Sequence, residues 1–326
     1  MRTVGFIISN KADEKRRLIL PEHIEKIHYP EYCFFEKGYG NSILIDDKEY
    51  SDCGCKMVDR EMILKCDIIA DRKLGDADYL SLVQPGKILV GAAHAVQGIE
   101  FTNEAIRGRH TVIATEELFE DNRYIFYKNN ELAGAAAVMH AFRFSGKMPN
   151  EAKAAIIGSG NVAKGALRIL HGLGAEVDVY GRKHEALFRK ELYHYDVIIN
   201  CVKWDTNRKD HLIYKSDLKK MKKGTLIIDI SCDPHLGIET SHATTISDPV
   251  YEIDGVIHYA VDNTPSMFPY SATKIFSEKI YDFINSVMEN DINEFPSILR
   301  AATVIYKGEI RDDRIRMFRN QRGLFC

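Results

Sequence analysis

Short apolar runs recur along the whole chain. They alternate with stretches in which apolar residues return every three or four positions. The first pattern predicts buried strands and the second amphipathic helices. In the first part the expected strands are Val4–Ile8, Cys33–Phe35, Asp67–Ala70, Ile88–Gly91 and Thr111–Ala114, with helical stretches such as Pro21–Ile27 and Phe101–Arg107 between them. The alanine-rich segment Glu131–Phe142 predicts one helix, because alanine has the best helix propensity. Gly146 and Pro149 mark its end, and it is placed to carry the chain from one domain into the next.

Beyond it the rhythm is regular. Ala154–Ile157 predicts a strand and Gly158–Ala163 a tight turn. Val162, Ala166, Ile169, Leu170 and Leu173 then recur at helical spacing, with Gly172 and Gly174 closing the helix. Further strands are expected at Val177–Tyr180, Val197–Cys201, Leu226–Ile230 and Val256–Ala260. Ala272–Val287 predicts a helix and Arg300–Arg319 mixed structure, together too short for a separate domain. The reading is an α/β protein of two Rossmann-like domains with parallel sheets and a cleft between them. Residues 1–133 with 269–326 are expected to form a substrate (catalytic) domain, and residues 134–268 a dinucleotide-binding domain.

Composition narrows the function. The chain has 326 residues, 45% of them apolar, which suffices for sizeable cores. A formal net charge of −3 provides no global field for a polyanion, so no nucleic-acid partner is expected. No apolar run is long enough to span a bilayer, so no membrane partner is expected either. The apolar start is followed at once by Asn10, Lys11, Asp13 and Glu14, unlike a signal peptide, which predicts a cytoplasmic protein. The cysteines at 33, 53, 55, 66, 201, 232 and 326 are irregularly spaced. Cys53-Gly54-Cys55 has no second pair to complete a metal site, so plain thiols and no metal are expected.

Gly158-Ser159-Gly160-Asn161-Val162-Ala163 opens a helix directly after a strand. Gly158 permits the tight turn, Gly160 lets a pyrophosphate approach the backbone, and Ala163 lets the helix pack on the sheet. The N–H groups at the helix start can then receive phosphates. After the second strand an NAD-selective site usually carries Asp or Glu for the ribose 2′-hydroxyl. This chain has Gly181-Arg182-Lys183 instead, which suits a 2′-phosphate and predicts NADPH as cofactor.

Three charged segments in the first domain follow strands or lead into helices: Arg16-Arg17-Leu18-Ile19-Leu20-Pro21, Ala70-Asp71-Arg72-Lys73 and Gly91-Ala92-Ala93-His94. Ile228-Asp229-Ile230-Ser231-Cys232-Asp233 does so in the second. With these segments, and with the runs Val4–Lys11, Asp67–Asp71, Leu74–Leu80, Gly165–Ala175, Ile230–Leu236 and Tyr259–Pro265, the chain resembles the alanine dehydrogenase, transhydrogenase and saccharopine dehydrogenase group. Within it the likeness is greatest to the carboxyethylornithine synthase branch.

The resemblance implies residue roles. The clamp for a keto-acid carboxylate falls on Arg16, with Arg17 the neighbour that could be confused with it. The catalytic lysine falls on Lys73, the catalytic histidine on His94, and the aspartate beside the nicotinamide on Asp233. Gly181-Arg182 stands where alanine dehydrogenases have an acid, and the glycine pair they carry after Asp233 is absent. The first departure argues against alanine dehydrogenase itself, and the second implies a different loop after Asp233.

These residue types suit reductive condensation of a 2-keto acid such as pyruvate with an amino acid such as ornithine or lysine. Arginine offers a planar, bidentate cation to a carboxylate. An alkyl amine with a pKa near about 10.4 is neutral in only about one molecule in a thousand at pH 7, so a base must deprotonate it. An acid must then expel water, and histidine can serve as both near neutrality. Lys73 can polarise the carbonyl oxygen, and Asp233 can hold the amine or a ribose hydroxyl in register. Family likeness adds a homo-oligomer, dimer or tetramer. The rivals are a related dehydrogenase using lysine or ammonia, a dinucleotide sensor without turnover, and a structural protein on an enzyme scaffold. Lys73, His94 and Asp233 together speak against the sensor, which needs only the dinucleotide half.

Overall fold

The computed structural model describes residues 1–205, 208–232 and 236–324. The chain forms two compact units, Met1–Phe126 with Phe268–Cys326, and Tyr127–Met267.

The first unit is built on strands β1 (Val4–Ile7), β2 (Cys33–Glu36), β3 (Lys56–Val58), β4 (Ile68–Asp71), β5 (Ile88–Gly91) and β6 (Thr111–Ala114). They lie in the order β6-β5-β4-β1-β2-β3 and all pair in parallel. Thr303–Tyr306 adds antiparallel to β6, and Glu309–Ile310 adds antiparallel outside it. The sheet is thus dominated by parallel pairs, with an antiparallel edge. Successive side chains point to opposite faces. Val4, Phe6, Ile68, Ala70, Val90 and Ile113 enter one apolar core, while Ile7, Ile69, Leu89, Val112 and Ala114 enter another. Burial on both faces explains why these strands read as continuous apolar runs rather than alternations. Phe276, Ile280, Ile284 and Val287 of the helix Pro269–Glu289 fill the first core.

The second unit carries β7 (Lys153–Ile157), β8 (Glu176–Tyr180), β9 (Val197–Asn200), β10 (Leu226–Asp229), β11 (Val250–Ile253) and β12 (Val256–Tyr259). Their order is β8-β7-β9-β10-β12-β11, parallel except for the edge pair β11–β12. Ala154, Ile156, Val197, Ile199, Leu226 and Ile228 face one core; Ala155, Ile157, Ile198 and Ile227 face the other.

The alanine-rich helix runs Tyr127–Ala141, starting earlier than its apolar pattern because Tyr127-Lys128-Asn129-Asn130 form the first turn. It packs backbone to backbone on the helix Asn161–Gly172. A Cβ on Gly134 would lie 1.9 Å from the Val162 carbonyl oxygen, and one on Gly165 would lie 1.8 Å from that of Glu131. Only glycine fits at either place. Gly165→Ala should therefore destabilise the second unit by about 1–3 kcal/mol or more. Urea unfolding followed by circular dichroism measures this, and an unchanged midpoint would contradict the close packing.

Candidate active site

Strand register decides which loops gather in the first unit. Ile7 pairs with Asp71, Asp71 with Gly91, and Gly91 with Ala114. The four strands therefore end side by side, and the residues that follow leave from one carboxyl edge: Ile8-Ser9, Arg72-Lys73, Ala92-Ala93-His94 and Thr115-Glu116. The strand order reverses between β1 and β4, the place where open α/β sheets bind ligands.

Backbone contacts lock two of these loops together. Gly75 N–H donates to the Ala92 carbonyl at 2.8 Å. A Cβ on Gly75 would meet the Ala93 carbonyl oxygen at 2.3 Å, and one on Gly91 would meet that of Asp71 at 1.8 Å. The fully buried Asp71 carboxylate accepts from Ser9 Oγ, from Tyr79 Oη at 2.7 Å and from Lys73 N–H at 2.9 Å. Burial raises its pKa, and these hydrogen bonds pull the other way. The carboxylate thus fixes the backbone at Lys73.

His94 has a φ of 45°, a left-handed conformation that is costly for a residue with a Cβ. The Glu116 carboxylate holds it there, accepting from His94 N–H at 2.6 Å and from Ala93 N–H at 3.1 Å. As a result Lys73 Nζ and His94 Nε2 stand 3.5 Å apart. The His94 side chain is exposed at the surface, with protein packed along its inner side. Burial first, then the Lys73 and Arg72 charges, lower its pKa to about 4. His94 is therefore neutral at pH 7, with one ring nitrogen free to accept a hydrogen bond.

Arg16 is 2% exposed and is gripped by Glu14, with Nε–H donating to Oε1 at 2.8 Å and Nη2–H to Oε2 at 2.5 Å. Arg17 is also buried, but its guanidinium serves the chain: Nε–H donates to the Tyr39 carbonyl, and Nη1–H to the Arg16 carbonyl at 2.8 Å. Arg72 lies near enough to Arg16 for the like charge, after burial, to lower its pKa to about 10. Neither Glu116 nor Arg72 was singled out from the sequence. Glu116 sits among acids at a loop start, with no pattern to separate it from Glu117. Arg72 carried a signal, since it lies next to Lys73 in a segment already marked.

In the second unit Asn200 pairs with both Ile157 and Asp229, so β7, β9 and β10 also end together. The order reverses between β7 and β9. Gly158 has a φ of 116°, and a Cβ there would press on the Cys201 carbonyl at 3.0 Å. Gly160 precedes the helix Asn161–Gly172, and a Cβ on it would meet nothing within 4 Å, so its backbone is open to a ligand. Ala163, on the buried face of that helix, packs into the core beside the sheet. A recess of about 240 Å³ here is lined by Gly158, Ser159, Gly160, Gly181 and Arg182 among others. These features fit a dinucleotide pyrophosphate.

Lys183 is exposed on the short turn Arg182–His184. Lys203 lines the recess and was missed from sequence because it follows β9 rather than β8. Glu185 also lines it, but Arg208 binds that carboxylate through hydrogen bonds of 3.0 and 2.9 Å. Asp233 lies outside the described residues. Just before it, the buried Asp229 accepts from Asn200 Nδ2 at 2.9 Å and from Cys232 N–H at 3.2 Å. Among the described residues no group of three or more His, Cys, Asp or Glu is placed to hold a metal, and no helix is long and apolar enough to cross a membrane.

If Glu116 holds His94 in its strained turn, Glu116→Ala should lower kcat by about tenfold or more, the scale of a misplaced catalytic group, and leave dinucleotide affinity within about twofold. Steady-state kinetics with dinucleotide titration checks this, and wild-type turnover would contradict it.

Comparison with known proteins agrees with both halves. The alanine dehydrogenase/PNT N-terminal domain family matches residues 9–126 and the alanine dehydrogenase/PNT C-terminal domain family residues 180–313. The NAD-binding domain family of D-isomer specific 2-hydroxyacid dehydrogenases matches residues 119–236. The chain is 33% identical over 294 residues to an N(5)-(carboxyethyl)ornithine synthase of Clostridium botulinum, covering 84% of this chain and 91% of that protein. It is 33% identical over 299 residues to the enzyme of that name from Lactococcus lactis subsp. lactis, covering 85% and 94%. Among solved structures, an L-alanine dehydrogenase superposes with a TM-score of 0.85 at 21% identity, covering 98% of this chain and 99% of that one, which shows the shared fold. The chain is thus a nicotinamide-dependent oxidoreductase of the alanine dehydrogenase/PNT type and belongs to the N(5)-(carboxyethyl)ornithine synthase family.

Proposed function

We propose that this enzyme joins pyruvate to the side-chain amine of L-ornithine with NADPH, giving N(5)-(1-carboxyethyl)-L-ornithine. The observation that supports this most is the neutral His94 imidazole 3.5 Å from Lys73 Nζ, in a chain one-third identical to relatives of that name.

In this reading Arg16 holds the keto-acid carboxylate. Lys73 donates a hydrogen bond to the ketone oxygen and polarises it. His94 takes a proton from the incoming ammonium, freeing the amine to attack the carbonyl carbon. The resulting imidazolium returns a proton to the carbinolamine hydroxyl, and water leaves to give the imine. The bound nicotinamide supplies the hydride that reduces the imine carbon. Asp233 is assigned to hold the amine or a ribose hydroxyl in register.

Arg182 and Lys183 are assigned to the 2′-phosphate of NADPH. The carboxylate nearest in role, Glu185, is occupied by Arg208 and so does not repel that phosphate. A hydrogen bond to a charged group contributes roughly 1.5–3 kcal/mol, or about 10- to 100-fold. Arg182→Ala should raise KM for NADPH by that factor and leave KM for NADH nearly unchanged. Equal effects on the two would sink the selectivity assignment.

The reaction itself is tested by offering pyruvate, NADPH and a panel of amines, including ornithine, lysine and ammonia, and weighing the products. A product from ornithine with its mass increased by a carboxyethyl group is expected. Preference for lysine or ammonia would move the enzyme to a saccharopine- or alanine-dehydrogenase-like reaction. His94→Ala should lower turnover by about two decades, and near-normal turnover would remove His94 from the mechanism.

A further inference from the structure

Arg72 is the buried cation in this site that the mechanism leaves unused. It is 6% exposed, and its Nε has no hydrogen-bond partner. Its guanidinium lies 3.8 Å over the Phe276 ring, a contact that offsets only part of the cost of burying a charge. No carboxylate among the described residues forms an ion pair with it. The two acids whose fields reach it are engaged elsewhere, Glu14 on Arg16 and Glu116 on the N–H groups of Ala93 and His94. Buried cations without a partner are rare, because the desolvation cost is several kcal/mol unless an anion arrives.

The surroundings define which anion. Thr273 and Phe276 lie three residues apart on the helix Pro269–Glu289, and so on one face. Thr273 Oγ1 accepts from Arg17 N–H at 2.8 Å, and Phe276 carries Arg72, so the Arg16-Arg17 segment and Arg72 converge on the same helix face. On its other side Arg72 directly precedes Lys73, and its charge is felt by His94.

We propose that Arg72 binds the carboxylate of the 2-keto acid, closing with Arg16 a two-arginine clamp beside the Lys73–His94 pair. The clamp rests on the keto-acid reading above for the identity of its anion. In a 2-keto acid the carboxylate carbon is one bond, about 1.5 Å, from the reacting carbon. The α-carboxylate of ornithine lies five bonds from the reacting nitrogen, roughly 6 Å when extended. An anion site adjoining the proton-moving pair therefore suits the keto acid and not the far end of the amine. The second arginine also makes the site selective for a carboxylate next to the carbonyl over an uncharged aldehyde or ketone.

Arg72→Met keeps the apolar contact with Phe276 and removes the charge; Arg72→Lys keeps the charge and loses the fork. Three quantities are measured for each: KM for pyruvate, for the amine and for NADPH; calorimetric affinity for oxamate, a non-reacting pyruvate isostere, with oxidised dinucleotide present; and Tm. For Arg72→Met the clamp predicts a pyruvate KM higher by about 10- to 100-fold, oxamate affinity weaker by the same factor, and the other two KM values within about twofold. Its Tm should stay equal or rise, since an unpaired buried charge has gone. Arg72→Lys should fall between. Unchanged pyruvate KM and oxamate affinity in a wild-type-like fold overturn the clamp while leaving the reaction standing. A lowered Tm with all three KM values raised alike makes Arg72 structural and also overturns it. Oxamate binding that depends on Arg72, in an enzyme that turns over pyruvate with no amine, upholds the clamp and defeats the reaction. Failure of the wild type to bind oxamate overturns the clamp directly.

Discussion

An imidazole held 3.5 Å from a lysine nitrogen is the contact on which the proposed chemistry depends. Left in water, His94 would be half charged near pH 6.5. Partial burial first, and then the nearby Lys73 and Arg72 charges, keep it neutral through the physiological range. The proximity is not a side-chain accident. Two loops are pressed together at the backbone, where Gly75 and Gly91 leave no room for a Cβ. Asp71 fixes one loop from beneath and Glu116 fixes the other from beside it. The strain at His94 and the burial of Asp71 are carried by the large apolar cores on both faces of the sheet.

The two units divide the labour by the same structural rule. Each presents the carboxyl ends of parallel strands at the point where strand order reverses. In the first unit those ends carry cations, an imidazole and carboxylates. In the second they carry glycines and a helix start, with Asn200 and Asp229 buried beneath to hold the loops. The fold therefore sets where ligands go, and the few residues after each strand decide which ligand it is.

Much of this was legible in the sequence because parallel strands buried on both faces leave continuous apolar runs. Val4–Ile7, Ile88–Gly91 and Thr111–Ala114 could be read almost to the residue. Lys56–Val58 could not, since it is a short edge strand with an exposed first residue and no apolar run. Val250–Ile253 was missed as another short edge strand, its apolar pattern broken by the exposed Glu252, and the antiparallel edge formed by Thr303–Ile310 lay within a stretch read only as mixed. The glycine turn was legible because its chemistry demands a fixed order of small residues. Lys73 and His94 stood out through family likeness and through their places after strands. Arg72 and Glu116 did not, because their importance lies in what surrounds them: one lacks a partner, and the other accepts two backbone N–H groups across the sheet edge.

Titration of the His94 ring by NMR in the unliganded enzyme tests the central claim most directly. The account predicts a ring that remains neutral from pH 8 down to pH 5, with a midpoint near 4. A midpoint near the free value of about 6.5 would show that neither burial nor the Lys73 and Arg72 charges act on the imidazole, and would contradict the account.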